Sequence, residues 1–379
     1  MKFPLPPNAT IGIVGGGQLG RMSALAAARL GYRCHILTPD ASAPASQVSA
    51  ATTLAEYENR EALIRFADAV DVITFEFENV PADGLELLAA RKPVRPGPDV
   101  LRISQDRIAE KSFLNGIGVA TAPWAEVHSP EDLRAAIGRL GLPAVLKTTR
   151  LGYDGKGQAL IRGPEDAEAA FAALEPKPLI LEGFVDFAAE CSVVVARGAD
   201  GAVSAFDAVE NRHRDHILDL TLAPAPLDPA IRDAARAIAL RVAERIGLIG
   251  LLAIEFFIGG DGGVLANEIA PRPHNSGHWT IDACPASQFE LHVRAVAGLP
   301  LPEATRHSDA VMKNLVGPDD MALWPEILAT PGLIPHHYGK THTRVGRKLG
   351  HVTRLFPRGG LPGAFGIAAA LAPFDITTG

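Results

Sequence analysis

Cysteine, basic residues and long apolar runs are all scarce in this chain, and each shortage closes a class of function. Cysteine occurs three times in 379 residues, at Cys34, Cys191 and Cys284, with no paired spacing. An odd, scattered set of thiols excludes a disulfide framework or a cysteine-rich zinc site and fits a reducing compartment. Lysine and arginine number 36 against 43 acids, a formal net charge of −7. That balance argues against bulk binding to nucleic acid or to an anionic membrane. No apolar run approaches the ~18 residues that span a bilayer, and Met1-Lys2-Phe3-Pro4-Leu5-Pro6-Pro7 has no apolar signal core. A soluble, cytoplasmic protein is expected, with no nucleic-acid and no membrane partner. If it handles phosphates, it must gather its cations locally. The length and the 47% of hydrophobic residues suffice for two or three domains with real cores.

Glycine, by contrast, is plentiful and clustered. Thr10–Val14 reads as a buried strand, Gly15–Gly20 as a tight turn, and the alanine-rich stretch to about Leu30 as a helix stopped at Gly31. Cys34–Leu37 is the next strand, completing a βαβ unit. Its glycines suit close approach of phosphate to a helix N-terminus, and Gly15-x-Gly17-x-x-Gly20 also matches a dinucleotide fingerprint. A tight turn without ligand is the plainer alternative. The strand Val72–Phe75 leads into Glu76 and Glu78, either of which could take a ribose hydroxyl or simply be a solvated charge. Arg95-Pro96-Gly97-Pro98 marks a boundary. Beyond it, Asp106–Asn115 and Pro130–Leu140 read as helices, and Ala144–Lys147 as a strand ending in a cation. The loop from Gly152 to Gln158, with three glycines and Lys156, can close over phosphates. Leu179–Glu182 is a strand entering a hinge at Gly183-Phe184-Val185. Glu190–Arg197 and Val203–Val209 alternate like strands, whereas Glu210–His216 reads as a loop whose histidines bind phosphate or face water.

The centre of the reading is a hairpin. Leu251–Ile258 and Val264–Ile269 are apolar strands around the turn Gly259–Gly263, and each carries one acid, Glu255 and Glu268. Two carboxylates in apolar surroundings point to a hard cation such as Mg²⁺; charges paired with lysines are the bland alternative. Arg272, His274, Asn275 and His278 follow, broken by Pro271 and Pro273. Histidines four apart suit zinc on a helix, but Pro273 and Gly277 argue against a helix there. Asp228–Ile246 and Ala286–Ala297 read as helices. The remainder reads as a small β-rich domain holding Gly346-Arg347-Lys348-Leu349-Gly350-His351, with a tail after Gly359 that carries no motif.

In order, the glycine turn, the lysine strand, the glycine loop, the hinge and the paired-acid hairpin resemble the ATP-grasp superfamily of carboxylate–amine ligases. Four motifs narrow this: Gly15–Met22, Gly152–Gln158, Asn267–Thr280 and Gly346–His351. Together they are similar to the 5-(carboxyamino)imidazole ribonucleotide synthase family, biotin-independent carboxylases of purine biosynthesis, over about residues 9 to 355. The resemblance implies a mixed α/β and α+β ATP-grasp fold. Its parts would be an N-terminal βαβ (pre-ATP-grasp) domain over 1–98, an ATP-grasp domain over 99–300 with a lid at about 120–183, and a C-terminal β-rich domain over 301–379. It implies that ATP and bicarbonate carboxylate the exocyclic amine of 5-aminoimidazole ribonucleotide through carboxyphosphate, with Mg²⁺ but neither biotin nor NAD, in a homodimer.

Residue roles follow from the same resemblance. Arg107 and Lys147 contact ATP phosphates, and Gly152, Tyr153, Asp154, Gly155, Lys156, Gly157 and Gln158 form the lid. Glu182, Gly183, Phe184 and Val185 take the adenine, Glu190 the ribose, and His213 a phosphate-side contact, with Asn267 beside them. Glu255 and Glu268 hold Mg²⁺. Arg272, His274 and Asn275 hold bicarbonate, and Tyr153 and Asp154 face the aminoimidazole. Gly17, Gln18, Leu19, Glu76, Arg347 and Lys348 bind the ribonucleotide. Competing readings are the formate-using glycinamide ribonucleotide transformylase on the same scaffold, an NAD-dependent oxidoreductase resting on the glycine fingerprint alone, and a catalytically dead binding protein.

Overall fold

Four short strands open the fold, the inner ones apolar: β1 (Thr10–Val14), β2 (Arg33–Thr38), the more exposed edge strand β3 (Ala51–Leu54) and β4 (Val72–Phe75). They pair in parallel in the order β3-β2-β1-β4. Parallel strands covered on both faces need apolar residues throughout, and here helices Gln18–Arg29 and Gln288–Ala297 cover one face while Arg60–Asp68 and Ala82–Ala89 cover the other. The computed structural model describes residues 3–152, 156–175 and 177–374. Tyr153, Asp154 and Gly155 of the expected lid lie outside them.

Helix Gln288–Ala297 brings the buried His292 against this sheet, its Nε2 3.0 Å from Thr74 Oγ1. Burial pushes the His292 imidazole down from 6.5 to about 4. Between those values the unfolded chain takes up a proton that the folded chain refuses. The stability owed to this neutral histidine is therefore full above about pH 6.5 and is lost towards pH 4, at roughly 1.4 kcal/mol per pH unit. Urea midpoints at pH 7.5 and 5.0 should show the His292→Leu variant gaining on the wild type by ~2 kcal/mol on acidification. An unchanged gap would mean that His292 is not held neutral.

The second sheet is antiparallel: β5 (Trp124–Val127), β6 (Ala144–Thr148), β7 (Gln158–Ile161) and β8 (Leu179–Gly183), ordered β5-β8-β6-β7. Helices Pro130–Leu140 and Ala167–Ala173 pack their alanines and leucines on it.

The third sheet has nine strands: β9 (Phe187–Arg197), β10 (Val203–Ala205), β11 (Val209–Arg214), β12 (Ile217–Ala223), β13 (Gly250–Gly259), β14 (Val264–Ala270), β15 (Ser308–Val316), β16 (Leu333–His337) and β17 (Lys348–Pro357). Eight of them run in the order β14-β13-β9-β11-β12-β15-β17-β16, with β10 pairing β9 outside that path. Two expectations are corrected here. Val203–Val209 is not one strand, since β10 stops at Ala205, and Glu210–His216 is not a loop. It is strand β11 with the turn Asp215-His216, both at positive φ. Asn211 points inward and is buried, so the apolar alternation that betrays a strand is missing. Strand β12 then pairs with β15 (Leu220 opposite Lys313), which makes the C-terminal strands continuous with the central sheet. The tail, which offered no motif, forms helix Ala364–Ala370 and buries Ile367 and Leu371 against that sheet. Among the described residues no helix is long and apolar enough to cross a membrane.

Candidate active site

Strands β13 and β14 set Glu255 directly opposite Glu268, next to a bulge before Phe256. Residues opposed across a ladder share a face, so the two carboxylates lie side by side. Glu255 Oε1 is 3.2 Å from His274 Nε2, and Glu268 Oε2 is 3.6 Å from Arg107. Burial works to raise Glu255, but the His274 hydrogen bond and nearby His213 and Lys348 outweigh it and hold the carboxyl below its usual range. Glu268 is raised, first by burial and then by Glu255. One acid held ionised and its neighbour driven toward protonation is a strain that a divalent cation relieves, so these donors fit Mg²⁺.

Beside them lies a dense charge cluster. Lys147 Nζ is 2.9 Å and the fully buried Lys111 Nζ 3.6 Å from Glu182 Oε2. Burial opposes the Glu182 carboxylate, yet Lys147 and Lys111 hold it below its usual range, while burial lowers Lys147. Glu182 Oε1 has no hydrogen-bond partner among the described residues. The Glu182 side chain thus faces the lysines, while Phe184 of the expected hinge is 51% exposed. Lys111 Nζ also reaches the Asn267 carbonyl at 3.2 Å. Arg107 donates to the Gly152 carbonyl at 3.3 Å, tying its helix to the glycine loop. Glu190 and His213 are bonded to each other at 2.8 Å. Glu110 escaped the sequence reading: it accepts a hydrogen bond from the Ile269 N–H, and burial pushes it up to about 8. An acid on the buried face of the helix after Asp106 was the available signal.

The loop after β14 lies across the acids. Arg272 donates to Glu78 Oε2 at 3.0 Å, with Oε1 in ion-pair range of the same nitrogen at 3.0 Å. Glu78 is therefore an ion-pair partner, neither a solvated charge nor a free ribose ligand. Asn275 and Asn314 exchange two amide hydrogen bonds of 2.9 Å. Gln288, fully buried and given no role by the sequence, holds the backbone of His274 on both sides. Its Oε1 accepts from His274 N at 2.9 Å, and its Nε2 donates to His274 O at 2.7 Å and faces His278 Nδ1 at 2.9 Å. The His274 ring meets Glu255 and Ser276 whereas the His278 ring meets Gln288, so the two do not converge as zinc ligands. Asp282, His336 and His351 bring donor atoms within 4.8 Å of one another. The His336 and His351 rings, however, stack 11° from parallel at 4.4 Å, and His336 Nε2 already bonds Asp282 at 2.9 Å. Lone pairs of parallel rings run side by side instead of meeting at one ion.

The glycine turn holds an anion of its own. Glu76 accepts hydrogen bonds from the N–H groups of Gly17 and Gly20, the place where a phosphate was expected. Burial nevertheless raises the Glu76 carboxyl. A Cβ on Gly17 would lie 2.6 Å from Glu76 Oε1, so glycine is needed for this approach. In front is a cavity of about 330 Å³ lined by Gly17, Gln18, Tyr57, Glu76, Lys340 and Arg347, among others. Leu19 instead points into the core with Met22, Phe289 and Tyr338. Lys340 had no motif to announce it; burial, with Arg347 and Lys348 nearby, brings it down to about 8. Lys348 acts electrostatically on Glu255, His213 and His278 as well as on Lys340, so its charge falls on both the acids and the cavity that Arg347 lines.

Comparison with known proteins follows the same division. Residues 8–105 match the ribonucleotide synthetase preATP-grasp domain, 112–289 the ATP-grasp domain, and 310–358 the phosphoribosylaminoimidazole carboxylase C-terminal domain. The chain is 52% identical over 359 residues to the N5-carboxyaminoimidazole ribonucleotide synthase of Brucella melitensis, covering 94% of this chain and 99% of that one. It is 43% identical to the Bacillus subtilis synthase, over 92% and 91%. Among solved structures it resembles the Staphylococcus aureus synthetase complexed with ADP (38% identity, TM-score 0.88, 93% and 94% covered). It also resembles the Aspergillus clavatus synthase in complex with ADP and 5-aminoimidazole ribonucleotide (31% identity, TM-score 0.88, 97% of each chain).

Proposed function

This chain belongs to the N5-carboxyaminoimidazole ribonucleotide synthase family, and from that premise we propose how its residues divide the work. The protein is an ATP-dependent ligase that carboxylates 5-aminoimidazole ribonucleotide in purine biosynthesis. We assign residues 1–98 to the ribonucleotide, 99–300 to ATP and the transfer chemistry, with a lid at about 120–183, and 301–379 to closing the site with cations.

Bicarbonate is a poor electrophile. Its oxygen attacks the γ-phosphorus of ATP, ADP departs, and the resulting carboxyphosphate has phosphate as a leaving group. The exocyclic amine of the ribonucleotide then takes the carboxyl carbon, the C–O bond to phosphate breaks, and the amine gives up a proton. Arg107, Lys147 and Lys111 offset negative charge on the phosphates. The hinge backbone at Glu182–Val185 with Phe184 takes the adenine, Glu190 the ribose, and His213 lies on the phosphate side. Glu255 and Glu268, with Asn267 adjoining, would hold Mg²⁺, which supplies charge neutralisation to the transferring phosphoryl group. Arg272, His274 and Asn275 hold the planar anion. Asp154, in the loop with Tyr153, is assigned the amine proton. Lid closure keeps water from carboxyphosphate. Glu76, Gln18 and Gly17 take the ribose side of the ribonucleotide, and Arg347 with Lys340 its 5′-phosphate.

The observation that carries this reading is the acid pair lying under the Arg272–His278 loop, with the Glu76 cavity adjoining. The test is ADP release from ATP, Mg²⁺ and bicarbonate with and without 5-aminoimidazole ribonucleotide. Release that depends on the ribonucleotide, with labelled bicarbonate entering product, supports it. Release only with glycinamide ribonucleotide and formate would transfer the protein to the sister ligase. We further propose a cytoplasmic homodimer; three buried thiols suit a reducing compartment, and light scattering tests the dimer.

A further inference from the structure

Buried hydroxyl and amide groups run in line from the middle of the central sheet to His274. Thr221 Oγ1 on β12 lies 3.2 Å from Asn211 Oδ1 on β11, and Asn211 Nδ2 lies 2.8 Å from Ser192 Oγ on β9. Ser192 Oγ is 2.7 Å from Ser276 Oγ, which is 2.8 Å from His274 Nδ1. Thr221, Ser192 and Ser276 are 0% exposed and Asn211 4%, so water does not share the links. Ser192 is also the cross-strand neighbour of Glu255, which places the anchor of the loop beside the acid that His274 contacts.

A hydroxyl has a single proton to give, so the direction of one link dictates the others. The backbone N–H of Ser276 points at His274 Nδ1, 3.4 Å away, and makes that nitrogen an acceptor. Ser276 then donates to Nδ1, Ser192 to Ser276, the Asn211 amide to Ser192, and Thr221 to Asn211 Oδ1. The imidazole proton is left for Nε2, the atom facing Glu255. Gln288 fixes the backbone of the same residue, so ring position and proton position are set separately.

We propose that Asn211, Ser192 and Ser276 are positioning residues for the carboxylation, holding His274 as the Nε2–H tautomer with that proton aimed at the acid pair and the anion beside it. This rests on the functional reading above for its catalytic consequence, but not for the tautomer. Polarity, beyond packing, is what the chain supplies. An aspartate at 211 has the shape of asparagine and only accepts. In Asn211→Asp at pH 8, Ser192 must turn its proton to the new carboxylate and Ser276 must turn to Ser192, leaving Nδ1 without its side-chain donor.

The measurement is long-range ¹H–¹⁵N NMR of histidine-labelled protein, with His274→Asn identifying the resonance, alongside steady-state kinetics. The wild type should show Nε2–H. Asn211→Asp should move the proton to Nδ1 and lower kcat by roughly ten- to a hundredfold, with the ATP KM within about twofold of wild type. Ser276→Ala, which cuts the last link without adding charge, should give mixed tautomers and the same kcat-only loss, and serves if Asn211→Asp does not fold. A wild-type tautomer in both variants, or a wild-type kcat with the tautomer reversed, would overturn the proposal. A wild-type protein that failed to carboxylate the ribonucleotide would overturn the functional reading instead, with the spectra still deciding the tautomer.

Discussion

Glu268→Gln should abolish ribonucleotide-dependent ADP release, by about a thousandfold or more, while melting at or above the wild-type temperature. The two effects share one cause. Glu268 lies opposite Glu255, and its carboxyl is raised by burial and by that neighbour. A carboxyl whose pKa is higher folded than unfolded destabilises the fold wherever the unfolded chain would ionise it. Glutamine removes that penalty along with an oxygen that the proposed Mg²⁺ site would use. The lost contact to Arg107, 3.6 Å long, offsets only part of the gain. Melting with and without Mg²⁺ separates the effects: the wild type should be stabilised by the ion and the variant should not. Wild-type turnover in Glu268→Gln would remove the metal assignment.

Lys340→Ala and Arg347→Ala should each raise the ribonucleotide KM by roughly ten- to a hundredfold, as loss of a charge-assisted hydrogen bond of about 1.5–3 kcal/mol implies, and leave the ATP KM alone. Both side chains line the cavity in front of Glu76. Lys348→Ala should instead act mainly on kcat, because its charge falls on Glu255 and His213. The pH dependence carries a sign. Lys340 titrates at about 8 instead of 10.5, so its cation is present below that value and lost above it. Ribonucleotide affinity of the wild type should fall from pH 8 to 9.5, and Lys340→Ala should lose most of that dependence. Equal losses for ATP and ribonucleotide in either variant would count against a phosphate role for the cavity.

The elements legible in the sequence were those with strong local signals. The βαβ unit with its cap at Gly31, the helix after Asp228 and the hairpin around Gly259–Gly263 stand where apolar period and turn chemistry put them. Opposed strands then made the pairing of Glu255 with Glu268 readable. Strand β11 was not legible, since after Val209 its buried residue is Asn211 and the residues alternating with it, Glu210 and Arg212, are charged. Nor were Gln288, Glu110 and Lys340, each of which is placed by tertiary contacts more than 130 residues away in two cases, or by a neighbouring loop. Gln288 lies only 14 residues from His274, but nothing in a helix start announces that its amide will clamp a loop. The glycine turn was read as a helix N-terminus suited to a phosphate; the anionic group that the structure puts there is the chain's own Glu76, which depends on a strand 56 residues on.

That internal anion gives the site a direction. A helix N-terminus that already holds the Glu76 carboxyl has little attraction left for a second negative group, so on the proposed assignment the substrate's phosphate would be turned away from the first domain. Among the described residues, the cations lining the same cavity are Lys340 and Arg347, both from the C-terminal part of the chain. A ribonucleotide bound as proposed, between that acid and those bases, would fit one way round: hydroxyls toward Glu76, phosphate toward Lys340 and Arg347. On that assignment the chain would distinguish the two ends of its substrate before any chemistry begins, and a molecule with phosphates at both ends would find no orientation that suits it.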